Sequence, residues 1–289
     1  MTRWFRRIRR STEAAATVFC FHHAGGAASS FREWTSLVPD ELELVPVQLP
    51  GRENRSGEQP YRRMDALVEG VLDAFADDLG DRLQRPFAFF GHSMGARVSF
   101  ALAHGLAAAG LPGPTALFLS ATPGPTVRDW KHAHQLPDEE LLQHLSELGG
   151  LPETMLGAPE LLRRMLPTLR ADLELSEMSA LDKRPRLAMP IHSFAGSDDR
   201  LATPARVLAW RLETTGEYLL HVLPGGHFFT WTHADRVVGR IVQAMHPPRC
   251  PDLSASALRP PWITGADHSD ASLPGLPSTR FGGGGGVRS

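Results

Sequence analysis

The chain has 289 residues, of which 42% are hydrophobic, enough to bury a sizeable core in one large domain or two small ones. Its 30 basic and 32 acidic residues give a net charge of -2, which provides no global electrostatic case for binding nucleic acid or an anionic membrane. The 2 cysteines cannot form the disulfide framework of a small secreted scaffold, and this usage fits a reducing cytoplasm.

The chain begins with a cluster of arginines in residues 1–16. No aromatic-interleaved basic surface follows them, so we expect a solvated N-terminal arm rather than a nucleic-acid-binding segment.

Residues 17–245 alternate short apolar runs with amphipathic stretches, the pattern of a mostly parallel sheet covered by helices on both faces. Strands are predicted at residues 17–21, 44–49, 87–90, 116–120, 191–195 and 218–223. Helices are predicted at residues 64–79, 94–109, 204–215 and 234–245. The predicted fold class is therefore α/β, in a single catalytic domain.

One stretch breaks this alternation, because only helical periodicity is found between about residues 122 and 190. Apolar residues share one helical face in each of two runs, namely Leu141, Leu142, Leu145 and Leu148, and Leu161, Leu162, Met165, Leu166 and Leu169. Taken singly, these side chains are best explained as packing against the sheet. As a unit they predict a helical lid over a pocket, at about residues 122–189, since ligand sites in open α/β sheets lie beyond the carboxyl ends of the strands.

After about residue 245, proline and glycine accumulate and the apolar periodicity stops. Such a segment cannot bury enough surface to offset its chain entropy. Residues 246–289 are predicted to be a disordered tail. No stretch of the chain approaches the roughly 18 uninterrupted apolar residues that a membrane-spanning helix needs.

The sharpest chemical motif is GHSMG at residues 91–95, directly after an apolar strand and directly before a predicted helix. This is the context in which GxSxG holds a serine on a strained turn, with its hydroxyl lifted out of the sheet. Side chains at Gly91 or Gly95 would collide with neighbouring backbone. The helix behind Ser93 directs its positive end at the site and favours developing negative charge. Ser93 is the predicted nucleophile.

A serine of this kind needs a histidine base that is held by an acid, and the expected chain order is Ser, Asp, His. The strand at 191–195 runs into GSDD, and the strand at 218–223 ends in PGGHFF. We expect His227 to be the base, since it lies on a glycine-hinged loop. Asp199 is the favoured acid, with Asp198 as the alternative.

The oxyanion formed during attack needs two backbone N–H donors, one after the nucleophile and one from the loop after an early strand. Met94 supplies the first. The second is expected from the loop HHAGGA at 22–27, either from Ala24 or from Gly25, with Ala24 preferred.

No cofactor or metal is expected. The loop at 22–27 matches neither GxGxxG nor the Walker pattern with its lysine. His132 and His134 have the HxH spacing of metal ligands, but the sequence shows no clustered carboxylate or third histidine to complete the set.

Five segments together are far more specific than GxSxG alone: FCFHHAGGAASSF at 19–31, VQLPGRENR at 47–55, GHSMG at 91–95, GSDD at 196–199 and LPGGHFF at 223–229. With these motifs the chain resembles the type II thioesterases of polyketide and nonribosomal peptide assembly lines. The resemblance covers about residues 17–245. It departs from the family pattern at His22, where the family commonly has proline, and in the tail.

The resemblance implies a discrete α/β-hydrolase that removes aberrant or stalled acyl groups from the phosphopantetheine arm of acyl or peptidyl carrier proteins. It maps the family's triad onto Ser93, Asp199 and His227, and its oxyanion donors onto Ala24 and Met94. The helical insertion then corresponds to the family's mobile lid. A cytoplasmic, monomeric serine thioester hydrolase is expected, with no nucleic-acid or membrane partner.

Two other functions are compatible with the same residues. A carboxylesterase or lipase-like hydrolase of small lipophilic esters would use the same triad, because the residue pattern does not distinguish oxygen esters from sulfur esters. A non-catalytic binding protein could also be built on this scaffold. That function would require a broken triad, and no triad member is missing from the sequence.

Overall fold

The computed structural model describes residues 3–6, 13–78, 85–127, 132–150, 159–181 and 184–245. Its strands are β1 (Ala16–Phe21), β2 (Leu42–Pro46), β3 (Phe87–His92), β4 (Leu117–Ser120), β5 (Ile191–Gly196) and β6 (Tyr218–Leu223). They form one sheet in the order β2-β1-β3-β4-β5-β6, and each neighbouring pair is parallel. The predicted α/β class with a parallel sheet is confirmed.

The helices that the structure describes are α1 (Met64–Asp78), α2 (Met94–Ala108), α3 (Asp138–Glu147), α4 (Pro159–Glu177), α5 (Pro204–Val207), α6 (Phe229–Thr232) and α7 (Ala234–Met245). None of these helices combines the length and the apolar character that crossing a membrane requires. Short 3-10 helices occupy several of the connections between elements.

Most predicted bounds agree with the structure to within two residues, and two elements differ by more. The α-helix expected at 204–215 ends at Val207 and continues as a 3-10 helix over Leu208–Glu213. The buried residues there are Val207, Trp210 and Glu213, and their spacing of three matches the three residues per turn of a 3-10 helix. The second strand, expected at 44–49, is Leu42–Pro46.

The sheet separates two apolar layers. In β1, Phe19 packs on the α1 and α2 side, while its neighbour Cys20 packs on the opposite side, as the period of two in a strand requires. The ring of Phe19 meets that of Phe75 on α1 edge to face, with centroids 5.0 Å apart. This two-sided burial explains why the inner strands β1, β3, β4 and β5 are largely apolar runs in the sequence.

Residues 3–6 pack onto the domain, so the prediction of a solvated N-terminal arm is wrong for this segment. Phe5 is only 4% exposed and forms an antiparallel bridge with Val47. The guanidinium of Arg55 lies 4.1 Å from the ring centroid of Trp4. The apolar pair Trp4 and Phe5 causes the difference, because burying two aromatic rings outweighs the pull of the flanking arginines towards water. Arg7, along with the other arm residues up to 12, and the tail at 246–289 lie outside the described residues.

In the described part of residues 122–190 the regular elements are helical, apart from a single bridge between Leu187 and Thr214. Leu141 of α3 is fully buried against Leu166 and Leu169 of α4. Leu161 is 48% exposed, contrary to the predicted stripe. It directly precedes the buried Leu162, and successive residues of a helix point about 100° apart.

Candidate active site

The parallel sheet brings the predicted site residues to one edge, because the carboxyl ends of parallel strands meet there. Ala24 follows β1, Ser93 follows β3, Asp199 follows β5 and His227 follows β6. Four loops far apart in sequence therefore share one place in the fold.

Ser93 occupies a strained turn between β3 and α2, with φ of 54° and ψ of -114°. Its amide donates to the Ser120 carbonyl at 2.8 Å, which ties the turn to β4. A Cβ added to Gly91 would overlap the backbone of Gly95, and one added to Gly95 would overlap the carbonyl oxygen of Phe21. Such a backbone conformation costs on the order of 1–3 kcal/mol and persists only where the surrounding structure enforces it.

His227 lies between Ser93 and Asp199. Its Nε2 is 3.1 Å from Ser93 Oγ, and its Nδ1 is 2.8 Å from Asp199 Oδ2. Because an ionised carboxylate only accepts hydrogen bonds, the proton of the neutral imidazole resides on Nδ1. Nε2 is then free to accept the hydroxyl proton of Ser93, the arrangement that a general base needs.

Asp199 is held as a buried carboxylate. Its Oδ1 accepts hydrogen bonds from the amides of Leu201 and Ala202, each at 2.9 Å. Burial by itself raises the pKa of Asp199, but the hydrogen bond and charge of His227, together with the two amides, outweigh it and lower the pKa. Asp198 is exposed and accepts a hydrogen bond from Ser197 Oγ at 3.1 Å. The structure thus brings Asp199, and not Asp198, against His227.

Of the two amides considered after β1, that of Gly25 already has a partner, because it donates to Asp172 Oδ2 at 2.8 Å. Within the described residues, no hydrogen bond engages the amide of Ala24 or that of Met94. Met94 is the first residue of α2, where helix amides lack intrahelical acceptors. These geometries favour Ala24 over Gly25 as the second donor.

A cavity of about 610 Å³ opens above Ser93, within the size range of small-molecule sites. Apolar side chains on its walls are Leu145, Leu148, Leu173, Leu201 and Phe228. Ionisable side chains also line it, among them His144, Glu147, Glu177, Arg200 and Arg206. Both α3 and α4 contribute wall residues, so the helical insertion forms part of the cavity that contains Ser93.

Two further histidines surround His227, and both are kept neutral. Burial, followed by the charges of His227 and His23, lowers the pKa of His92 well below its usual value. Burial, followed by the charges of His227 and Arg52, lowers the pKa of His23 to about 3. Neither of these two histidines therefore adds a positive charge next to the imidazolium that His227 forms when it accepts a proton.

Glu177 lies next to His132 and His134, a proximity that the sequence did not reveal. The possible ligand atoms of His132, His134 and Glu177 lie within 4.8 Å of one another, so the expectation that no carboxylate accompanies these histidines is wrong. Glu177 accepts the amide of Ala133 at 3.0 Å and also contacts His134 Nδ1. These hydrogen bonds hold the 3-10 turn at Ala133–Gln135 on α4.

The model of the thioesterase domain family matches residues 16–245. The chain belongs to the thioesterase family. This thioesterase is 37% identical over 232 residues to the gramicidin S biosynthesis protein GrsT of Aneurinibacillus migulanus, covering 80% of this chain and 89% of GrsT.

Two solved structures are similar over most of the thioesterase. RedJ, a thioesterase from the prodiginine biosynthetic pathway in Streptomyces coelicolor, shares 41% identity with a TM-score of 0.74, covering 80% of this chain and 86% of RedJ. The type II thioesterase BorB from the borrelidin biosynthetic cluster shares 34% identity with a TM-score of 0.75, covering 84% of this chain and 97% of BorB. The thioesterase therefore has the α/β-hydrolase fold and is a hydrolase acting on thioesters.

Sequence reasoning missed one buried ion pair next to the site of this thioesterase, between Arg52 and Asp172. The two side chains are 8% and 3% exposed, and 120 residues separate them along the chain. A signal was available, because Asp172 falls on the helical face that carries Leu162, Leu166 and Leu169. A charged residue in an apolar stripe indicates a buried partner.

Proposed function

We propose that this thioesterase is a type II editing enzyme. It hydrolyses acyl thioesters from the phosphopantetheine arm of acyl or peptidyl carrier proteins in polyketide or nonribosomal peptide biosynthesis. The observation that carries the proposal is the placement of His227 Nε2 at 3.1 Å from Ser93 Oγ beneath a cavity of about 610 Å³. The similarity to RedJ and BorB supports the assignment to assembly-line chemistry.

In the first half-reaction, Ser93 Oγ attacks the thioester carbonyl while its proton passes to His227 Nε2. The carbonyl oxygen becomes an oxyanion, to which the amides of Ala24 and Met94 donate. The C–S bond then breaks, and the sulfur leaves with the proton returned from His227. A thiol of ordinary pKa, about 8.5, is a good leaving group near neutrality, so oxyanion stabilisation matters more than acid assistance.

In the second half-reaction, a water molecule gives a proton to His227 Nε2 and attacks the acyl carbonyl on Ser93. The same two amides receive the second oxyanion. When this intermediate collapses, Ser93 Oγ regains a proton from His227 and the carboxylic acid is released. Asp199 stays ionised throughout and stabilises the imidazolium, the role of the acid in such triads.

The acyl chain is assigned to the apolar part of the cavity, beside Leu145, Leu148 and Leu173. In this account residues 17–245 form one catalytic domain, and residues of about 122–189 form its lid. Arg170, one of the basic side chains on the lid, pairs with Asp138 and donates to the His134 carbonyl at 2.8 Å. We therefore assign no carrier-protein contact to it. A cytoplasmic monomer is proposed, in keeping with the cysteine usage and with the assembly-line substrate.

The proposal is tested by the Ser93→Ala variant on acyl-pantetheine thioesters, with Ser197→Ala as a control at an exposed serine near the site. We expect Ser93→Ala to lose about 10⁶-fold in kcat, the loss typical for removing such a nucleophile. The control should keep full activity. Undiminished hydrolysis by Ser93→Ala would refute the assignment. Failure of Ser93 to react with a fluorophosphonate would favour a non-catalytic binding protein.

A further inference from the structure

A buried ion pair joins the lid to the loop after β2, beside the loop at 22–27 that carries the proposed oxyanion donor. Arg52 Nη1 lies 2.6 Å from Asp172 Oδ2, and Arg52 Nη2 lies 2.8 Å from Asp172 Oδ1. This is the bidentate geometry that a guanidinium and a carboxylate adopt when both are held rigidly. Asp172 belongs to α4 of the lid, whereas Arg52 belongs to the loop after β2.

The remaining donors of Arg52 are all directed at backbone oxygens of nearby loops. Nε and Nη2 donate to the Pro50 carbonyl at 3.1 and 3.0 Å. Nη1 also donates to the Gly26 carbonyl at 3.2 Å. A buried charge of this kind is tolerated only when it is paired and its other donors are satisfied. Arg52 therefore holds three elements together, namely its own loop, the loop at 22–27 and α4.

Asp172 contacts the loop at 22–27 directly through the amide of Gly25, which donates to its Oδ2 at 2.8 Å. Gly25 has φ of 76°, a left-handed conformation that favours glycine. A Cβ at Gly25 would lie 3.1 Å from Leu169 Cδ1, one turn before Asp172 on α4. The lid helix and the loop thus meet at this glycine through both a hydrogen bond and close packing.

A third contact supports the same junction. Thr168 Oγ1 on α4 donates to the Gly51 carbonyl at 3.0 Å, immediately before Arg52 in the chain. Thr168 and Asp172 lie four residues apart, on one face of α4. That face is therefore held on the two loops by side-chain hydrogen bonds from successive turns.

We propose that Asp172 and Arg52 are positioning residues of the oxyanion hole. Asp172 takes the Gly25 amide and thereby fixes the preceding peptide, so that the Ala24 amide stays directed at the carbonyl oxygen of the substrate. Arg52 holds Asp172 and the Gly26 carbonyl in the same frame. The inference rests on the proposed acyl transfer by Ser93, and it makes α4 a structural part of the catalytic apparatus.

The proposal differs in its consequences from a purely stabilising ion pair. Loss of a positioning residue should weaken the stabilisation of the tetrahedral oxyanion while leaving substrate binding nearly unchanged. A trifluoromethyl ketone that carries a short acyl chain is a suitable probe, because it forms a serine-bound oxyanion in the same place. Losing one oxyanion donor typically costs about 10²- to 10³-fold in kcat.

The first test is Asp172→Asn, which keeps the size and one oxygen acceptor but removes the charge. We expect kcat to fall by about 10- to 10³-fold with KM changed by less than about 3-fold. The inhibition constant of the trifluoromethyl ketone should rise by a similar factor. Glu58→Gln is the matched control, because the Arg55–Glu58 pair belongs to the same loop and has no hydrogen bond with residues 24–26 among the described contacts. Its kcat should stay within about 2-fold of the parent.

The second test is the double variant Arg52→Met with Asp172→Leu, which removes both charges and leaves no buried ion unpaired. We expect it to fold with a melting temperature near that of the parent and yet to show the same loss of kcat and inhibitor affinity. A folded double variant with parental kcat would overturn the proposal. So would an Asp172→Asn variant in which KM rises or thermal stability falls while kcat stays at the parental value.

The two proposals fail in different ways. If the parent protein hydrolyses no pantetheine thioester, the proposed function falls. The rate at which Ser93 reacts with a fluorophosphonate still reports on the oxyanion hole, because the phosphoryl oxygen occupies it. A slower rate in Asp172→Asn supports the positioning role in that case, and an unchanged rate refutes it.

Discussion

His227 Nδ1 lies 2.8 Å from Asp199 Oδ2, whereas Asp198, the preceding residue, is exposed and accepts a hydrogen bond from Ser197. The two carboxylates are neighbours in sequence, yet only one is buried. Because of this difference in burial, the effects on kcat of replacing each aspartate can be compared directly.

Replacing Asp199 with Asn should lower kcat by about 10⁴-fold, because the amide favours the wrong tautomer of His227 and no longer stabilises the imidazolium. Asp198→Asn should change kcat by less than about 2-fold, since its side chain is exposed. Steady-state hydrolysis of an acyl-pantetheine thioester measures both. Equal losses in the two variants would contradict the assignment of Asp199.

The nucleophile turn should reject any side chain at Gly95. A methyl group there overlaps the Phe21 carbonyl oxygen, which is backbone and cannot move aside. Gly95→Ala should therefore destabilise the protein by about 3 kcal/mol or more and lower the soluble yield. Gly239→Ala on α7 is the control, since nothing lies within 4 Å of its added Cβ. That variant should gain about 0.5–1 kcal/mol from helix propensity. Urea unfolding measures both, and a tolerated Gly95→Ala would show that the turn is less tight than described.

Acid should destabilise the fold before the carboxylates titrate. Burial is the largest cause that lowers the pKa values of His22, His92 and His104, the last to about 4. A histidine with a lowered folded pKa binds its proton in the unfolded chain first, so stability is complete above about pH 6.5 and falls as the pH drops towards the folded value. Each such histidine adds a slope of up to about 1.4 kcal/mol per pH unit.

The measurement is the free energy of unfolding in urea between pH 7 and pH 5. His104→Asn removes one of these histidines and should reduce the slope of the free energy of unfolding against pH by up to about 1.4 kcal/mol per pH unit. His104 is chosen because it lies on α2, away from the site. A free energy that stays constant over this range would show that these histidines are accessible to protons in the folded state.

Bulk added at Leu145 should shorten the acyl chains that are accepted. Leu145 of α3 lines the cavity, so Leu145→Trp fills part of its apolar end. We expect kcat/KM for long-chain acyl thioesters to fall by about 10-fold or more, with propionyl thioesters nearly unaffected. Leu161→Trp is the control on the exposed side of α4. If Leu145→Trp affects short and long chains equally, the acyl group lies elsewhere.

Most of the sheet follows from the sequence because the strands β1 to β5 are buried on both faces and stand out as largely apolar runs. The edge strand β6 is only partly buried, but its sequence is apolar enough to be predicted as a strand. The site is also largely predictable, since GHSMG requires glycines for steric reasons and the chain order restricts the acid and the base. The sequence favours Asp199 over Asp198 and Ala24 over Gly25. The fold adds that Asp199 is the buried neighbour of His227 and that the Gly25 amide already donates to Asp172, which local sequence patterns do not reveal.

Contacts between segments that are far apart in the chain could not be predicted from the sequence. Arg52 and Asp172 are 120 residues apart, and His134 meets Glu177 across 43 residues. Local patterns indicate that a charge on an apolar face needs a partner, but not which partner it has. The packing of Trp4 and Phe5 was not predicted for a different reason. The surrounding arginines dominate the composition of that segment and favour the prediction of a solvated arm.

The most direct test of the central claim is intact-mass spectrometry of an acyl carrier protein incubated with this thioesterase, alongside hydrolysis of a simple aryl ester. We predict that the parent protein converts acyl carrier protein to its free phosphopantetheine form with a kcat/KM well above that for the aryl ester. Ser93→Ala should leave the acyl group in place. A parent protein that hydrolyses the aryl ester but leaves the carrier acylated would contradict the proposed function and indicate a carboxylesterase.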